Sequence, residues 1–191
     1  MSTAATRPRL TYAEYLAAEE VGDVKHEYVN GEIFAMSGGT PTHGALAMAV
    51  GSLLFAALRD RPCRVFSSDV RIRVEASDFA AYPDVSVVCD QLEAASDDSN
   101  AVTNPVLIVE VLSDSTEAHD GGDKAACYRR IPSLREYLLV SQHRRRLELF
   151  RRNPQGRWEL HEAGPGESLE LASVEVRVDV DEVYRDPLSR E

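Results

Sequence analysis

The chain has little with which to staple or cage itself. Its three cysteines, Cys63, Cys89 and Cys127, are odd in number and widely spaced. They match neither a zinc spacing nor a disulfide framework, so a reducing cytoplasm is the expected setting. No compact group of His or Cys occurs in the sequence, which directs the search for a metal site toward oxygen ligands. No apolar run approaches membrane-spanning length, and Met1 to Arg9 lacks the apolar stretch of a signal peptide, so no membrane role is expected. Positive charge is in deficit: 21 Lys and Arg face 32 Asp and Glu, for a net charge of −11. Broad, nonspecific attraction to nucleic acid is thereby excluded, although a local basic groove is not. Tryptophan occurs once, at Trp158, which disfavours an aromatic-rich sugar cleft. Internal repeats and low-complexity segments are also missing.

What is present suits one globular α/β domain. The 191 residues, 43% apolar and 28% charged, are enough to bury a core. Residues 1–9 read as a flexible arm, 10–185 as a single domain and 186–191 as a flexible tail. Thr11 and Glu14 form a capping-box signature for a short helix ending near Glu20. Lys25 to Phe34 alternates and turns at Asn30-Gly31, a strong hairpin signal. A Gly/Ser/Thr/Pro stretch, Ser37 to Gly44, precedes a helix over Ala45 to Leu58, where apolar residues recur at helical spacing.

Strands are expected over 64–74, 84–89, 106–112 and 137–141, with an exposed acidic loop over 91–104. Asp120 is placed to cap a helix running to about Arg130, loosened at its start by Gly121 and Gly122. Further strands are expected over 145–152, 157–162 and 169–178, the last two separated by the turn Gly164-Pro165-Gly166. This order gives a mixed α/β domain with one central sheet and a β-rich C-terminal extension.

Two acids stand out. Asp84 follows Pro83 at the start of one short apolar run, and Glu110 interrupts another, Val106 to Leu112. A carboxylate in such a setting is costly unless something positive meets it. Paired on neighbouring strands, the two could share a hard divalent cation. Mg²⁺ needs only one or two protein carboxylates and keeps several waters, and the backbone carbonyl of Val111 offers a third oxygen. Lys124 falls near the start of the expected helix, where the macrodipole gives no reason for a cation. Beside two metal-bound carboxylates, a lysine there could polarise an attacking water and stabilise a phosphorane-like transition state.

These residues carry a resemblance. Pro83-Asp84 followed by a strand ending Glu110-Val111-Leu112 looks like the PD-(D/E)XK nuclease superfamily, except that Leu112 stands where that motif has its lysine. The run Ile108 to Thr116, then Asp120, Lys124 and Tyr128, then Arg135 to Val140, resembles the bacterial Uma-type family of restriction-endonuclease-like proteins, over roughly residues 11–185. Upstream, His26 to Glu32 and His43 match its early pattern. In that family the lysine sits on the following helix, and Lys124 matches it. The resemblance implies a mixed central sheet flanked by helices, Mg²⁺ (replaceable by Mn²⁺) held by Asp84 and Glu110, and Lys124 as the third catalytic residue. It also implies hydrolysis of DNA phosphodiesters by a homodimer.

Plainer alternatives stay open. Asp84 could be a turn residue, Glu110 half of a structural salt bridge, and Lys124 a solvated helix lysine. Tyr128 could be packing and Asp120 only an N-cap. His43 could cap, pack or touch substrate. Glu27 could pair with Lys25 across the hairpin or join the metal shell, the former slightly favoured. Asp69 is unassigned. The arginine clusters 129–130, 144–146 and 151–152 could be a solvated strand face or phosphate contacts. A nuclease-fold binding or regulatory module without catalysis is the alternative function.

Overall fold

A computed structural model describes residues 9–36, 38–112 and 120–185, without the side chains of Asp120 and Gly121. The expected arm (Arg9 apart), the expected tail, the Ser113 to Thr116 part of the family-like run and the Asp120 cap all lie outside the described residues.

The first helix, α1 (Tyr12–Val21), carries the expected box: the Thr11 hydroxyl accepts from the Glu14 amide and the Glu14 carboxylate accepts from the Thr11 amide. Strands β1 (His26–Val29) and β2 (Glu32–Ala35) turn through Asn30 and Gly31, at φ 48° and 89°, as the hairpin signal required. Helix α2 (Pro41–Leu58) starts four residues before the expected Ala45. Thr40 caps it and Pro41 is preorganised for a first turn, so that stretch is helical instead of loop. The added turn matters. At 18 residues and a mean hydropathy of 1.4, α2 is long and apolar enough to cross a membrane, which the shorter reading did not anticipate. Its stripe Leu46, Val50, Leu54 and Leu58 is nevertheless packed against protein.

The single strand expected over 64–74 is two strands, β3 (Cys63–Ser67) and β4 (Arg71–Val74). The chain turns at Ser68 to Val70, where the Val70 amide returns to the Ser67 carbonyl and Asp69 pairs with Lys25. Strand β5 (Phe79–Ala81) was not expected; it follows a tight turn at Asp78 (φ 44°) and pairs with both β1 and β4. Strand β6 (Val85–Cys89) places Cys89 opposite Cys63, and the two form a disulfide. Spacing could not show this pairing, because it arises from strand register. The acidic loop is not wholly exposed. It contributes β7 (Ala101–Val102), parallel to β4, and buries Asp98 against Arg71 at 2.8 Å. A buried guanidinium draws that acid inward.

The remaining elements are β8 (Leu107–Leu112), a π-helical turn Asp120–Lys124, α3 (Ala125–Tyr128), β9 (Glu136–Ser141), β10 (Leu147–Arg152) and β11 (Trp158–Ala163). The strand expected over 169–178 is a hairpin, β12 (Ser168–Leu171) and β13 (Val176–Asp179), turning at Glu175 (φ 50°), and α4 (Val180–Val183) follows it.

The mixed α/β class holds, but not with one sheet. A six-stranded sheet runs β11-β10-β9-β8-β6-β3, parallel only between β8 and β9. A five-stranded sheet runs β2-β1-β5-β4-β7, and β12-β13 forms a third. Alternation along β8 divides the core. Leu107, Val109 and Val111 join α2, the β12-β13 hairpin and α4 on one face. Ile108 and Leu112 join β4, β5 and α3 on the other. Glu110 sits in the second file, 4% exposed.

A separate buried carboxylate shows what structural pairing looks like here. Glu136, fully buried, meets Arg151 Nε at 2.7 Å and accepts from the Ala172 and Ser173 amides and the Ser173 hydroxyl. It ties the β12-β13 turn to the central sheet. Glu136→Ala strands the Arg151 guanidinium and two amides, so urea unfolding is expected to show a loss of about 3 kcal/mol.

Candidate active site

The π-helical turn Asp120–Lys124 ends on the residue that organises the site. A turn of this kind is wider than an α-turn, and the two glycines within it tolerate the geometry. Lys124 is carried inward and is 5% exposed, so it is no solvated helix lysine. Its Nζ lies 2.8 Å from Glu110 Oε1 and 2.7 Å from Glu27 Oε1. One helical turn later, the fully buried Tyr128 donates its hydroxyl to Glu110 Oε1 at 3.2 Å. Tyr128 also packs edge-on to Phe79, with ring centres 5.3 Å apart. It therefore acts as packing residue and donor together.

Glu27 is thus not the partner of Lys25, contrary to the favoured expectation. Lys25 pairs with Asp69 on the exposed β3–β4 turn, and its ammonium holds the Asp69 carboxyl below the usual carboxylate range. Burial decides the matter: Glu27 faces inward on β1, where only a buried cation offsets its desolvation.

Asp84 immediately precedes β6, whose antiparallel register with β8 begins at Val85 opposite Val109. The Val111 amide donates to Asp84 Oδ2 at 2.7 Å. Strand β8 does not splay at Val111, as the carbonyl-ligand expectation supposed; it stays paired with Val140 through to Leu112.

His43 completes the cluster from the first turn of α2, with Nε2 3.3 Å from Asp84 Oδ2. Its amide is capped by the Thr40 hydroxyl, which donates to Gln142 Oε1, and Gln142 in turn donates to the Leu112 carbonyl. The start of α2 is thereby tied to the end of β8. Gly39 is required here, since a Cβ on it would come within 2.8 Å of His43 Nδ1.

Glu27 and Glu110 thus meet one amine, while Asp84 meets one imidazole and the Val111 amide. No group of three His, Cys, Asp or Glu side chains is preassembled as a metal cage among the described residues. Carboxylate oxygens suit a hard cation such as Mg²⁺, which needs only one or two of them.

This geometry has relatives. The family model described as Uma2, putative restriction endonuclease, matches residues 12–181. The chain belongs to the Uma2 family. Two uncharacterized proteins of Synechocystis, slr1290 and sll1609, are each 38% identical to it, over 96% and 90% of this chain and 96% of each relative. The crystal structure of a putative nuclease belonging to DUF820 from Anabaena variabilis superposes with a TM-score of 0.69 at 16% identity, covering 86% of this chain and 92% of that one. Its fold, a nuclease-like α/β fold, is shared.

Within the Uma2 fold the arginine clusters are largely occupied. Arg145 pairs with Asp181, Arg146 with Glu148 and Glu162, and Arg151 with Glu136. Arg152 donates to the Arg129 and Ile131 carbonyls and stacks over Trp158. These side chains bind the protein to itself. Sequence reasoning left the roles of Glu27 and His43 open because their partners come from other elements. The signal for both was their place in the family-like pattern of His26 to Glu32 and His43.

Removing the amine should cost more than activity. Lys124→Ala buries Glu27 and Glu110 without their cation, for an expected loss of about 3 kcal/mol in denaturant titration. Adding Glu27→Gln to Lys124→Ala should recover about 1–2 kcal/mol, whereas Glu27→Gln alone should destabilise.

Proposed function

We propose that this protein is a Mg²⁺-dependent endonuclease that hydrolyses DNA phosphodiester bonds. The observation that carries this is Asp84 held at β8 beside Glu110, its Oδ2 accepting from the Val111 amide at 2.7 Å, with the Lys124 amine on Glu110 at 2.8 Å. Family membership and the shared fold support the class of reaction.

In this reading Asp84, Glu110 and the Val111 carbonyl hold the cation. When bound, the metal acidifies a water and neutralises charge on the scissile phosphate. The chain's own groups do the rest. Lys124 directs an N–H at the attacking water and at the charge that develops on the phosphorane oxygens. Glu27 accepts a hydrogen bond from the same amine, keeping it charged and aimed. Tyr128 restricts the Glu110 carboxylate to one orientation. The Val111 amide and His43 do the same for Asp84. Such restraint is worth much in a site where small misplacement lowers rate steeply.

DNA is the proposed partner, and a homodimer supplies the two sites needed to cut both strands. Cytoplasmic location and independence of membranes belong to the same proposal, although the Cys63–Cys89 disulfide removes the support that cysteine spacing gave to a reducing compartment. A second reading has its own support: Glu27, Lys124, Glu110 and Tyr128 form a connected network that would also stand as a purely structural ion pair. On that reading the protein is a nuclease-fold binding module without catalysis.

One experiment separates the two. Supercoiled plasmid with Mg²⁺ or Mn²⁺ should be nicked by the native protein. Asp84→Asn and Glu110→Gln should each reduce the rate by at least about 100-fold, Asp84→Asn with little change in melting temperature and Glu110→Gln with a fall like that of Glu27→Gln, in a protein still folded at the assay temperature. Calorimetry should find Mg²⁺ binding in the native protein and none in Glu110→Gln. Full nicking activity in Glu110→Gln, or no metal binding by the native chain, would leave the binding module standing.

A further inference from the structure

A groove of about 950 Å³ runs from Asp84 and His43 along α2 toward β3 and the β1–β2 hairpin. Its volume is that of an open cleft able to take a flat group the size of a nucleobase. Its chemistry is unusual for a nuclease surface. Val24, Met36, Met48 and Phe55 line it, and Met48 and Phe55 are 69% and 66% exposed on a helix with no charged residue. Apart from His43, its charged lining groups among the described residues are Asp23, Lys25 and Asp84, and Lys25 is already paired with Asp69. Phosphates have little reason to enter, whereas flat apolar faces do.

Resting on the nuclease reading, we propose that this groove receives unstacked nucleobases. The preferred substrate is then DNA with an unpaired stretch: a bubble, a frayed end or a single strand. Two independent observations favour bases over a second protein copy. The groove is concave and continuous with the Asp84 carboxylate, so a protein filling it would block the reacting site. Three arginines of the basic clusters, Arg145, Arg146 and Arg151, are engaged in internal pairs with Asp181, Glu148, Glu162 and Glu136, and none of the clusters lines the groove, so binding energy in the groove comes from elsewhere. Aromatic and apolar side chains supply it by stacking on bases, with little regard to sequence.

Gly44 offers a clean probe. It lines the groove, and a Cβ placed there meets nothing within 4 Å, so Gly44→Leu fills the groove without disturbing α2. The test uses the full chain, with Ca²⁺ replacing Mg²⁺ to slow cleavage, and three fluorescent oligonucleotides of one sequence: duplex, duplex with a short bubble, and single strand. Bubble and single strand are expected to bind at least about tenfold tighter than duplex. Phe55→Ala and Gly44→Leu should each erase about tenfold of that preference and leave duplex binding unchanged. The slope of log affinity against log salt should be shallow, as for one or two phosphate contacts.

Equal affinity for the three DNAs overturns the proposal. So does a loss of self-association in sedimentation of Phe55→Ala with unchanged DNA affinity, which would make α2 a contact between copies. Preference for unpaired DNA without Mg²⁺-dependent cutting leaves the groove standing and removes the nuclease reading. Cutting of plasmid without any preference does the reverse.

Discussion

One ammonium group holds the candidate site together. Glu27 belongs to the five-stranded sheet and Glu110 to the six-stranded sheet, and Lys124 reaches both from the turn between β8 and β9. At 5% exposure, that amine has given up nearly all its water. Only close carboxylates compensate, and only if both sheets keep their places. The ion pairs therefore set how the sheets meet, and the sheets set where the acids point.

Glu27 and Glu110 share one lysine, and Asp84 meets one histidine. A purely structural device would more economically resemble Glu136, whose oxygens are met by Arg151, two amides and a hydroxyl. Asp84 instead takes a single backbone amide and a histidine at the edge of a groove.

Acid dominates the surface, and the chain resolves this internally. Its clustered arginines brace β9, β10 and β11 against neighbouring acids and carbonyls instead of forming a phosphate track. On the proposed reading, attraction to DNA depends on the site and on the apolar groove beside it. Helix α2 serves both purposes: one stripe fills the core, its first turn presents His43, and its outer face lines the groove.

Local chemistry was legible in the sequence. The Thr11–Glu14 box, the Asn30-Gly31 turn and the α2 periodicity act within a few residues, and each appears in the structure. Asp84, Glu110 and Lys124 were legible as costly exceptions to local pattern. What was not legible depends on register and on contacts distant in sequence. The split of residues 64–74 between two sheets, the unexpected β5, the Cys63–Cys89 pair and the inward turn of Asp98 follow from strand partners hundreds of atoms away along the chain. Glu27 followed the same rule: its neighbour Lys25 was nearer in sequence, but Lys124 was the cation available in the interior. By itself the sequence determined which residues could not rest in an apolar setting alone. Tertiary structure decided which partners met them, because desolvated charges pair with whatever the fold brings within reach.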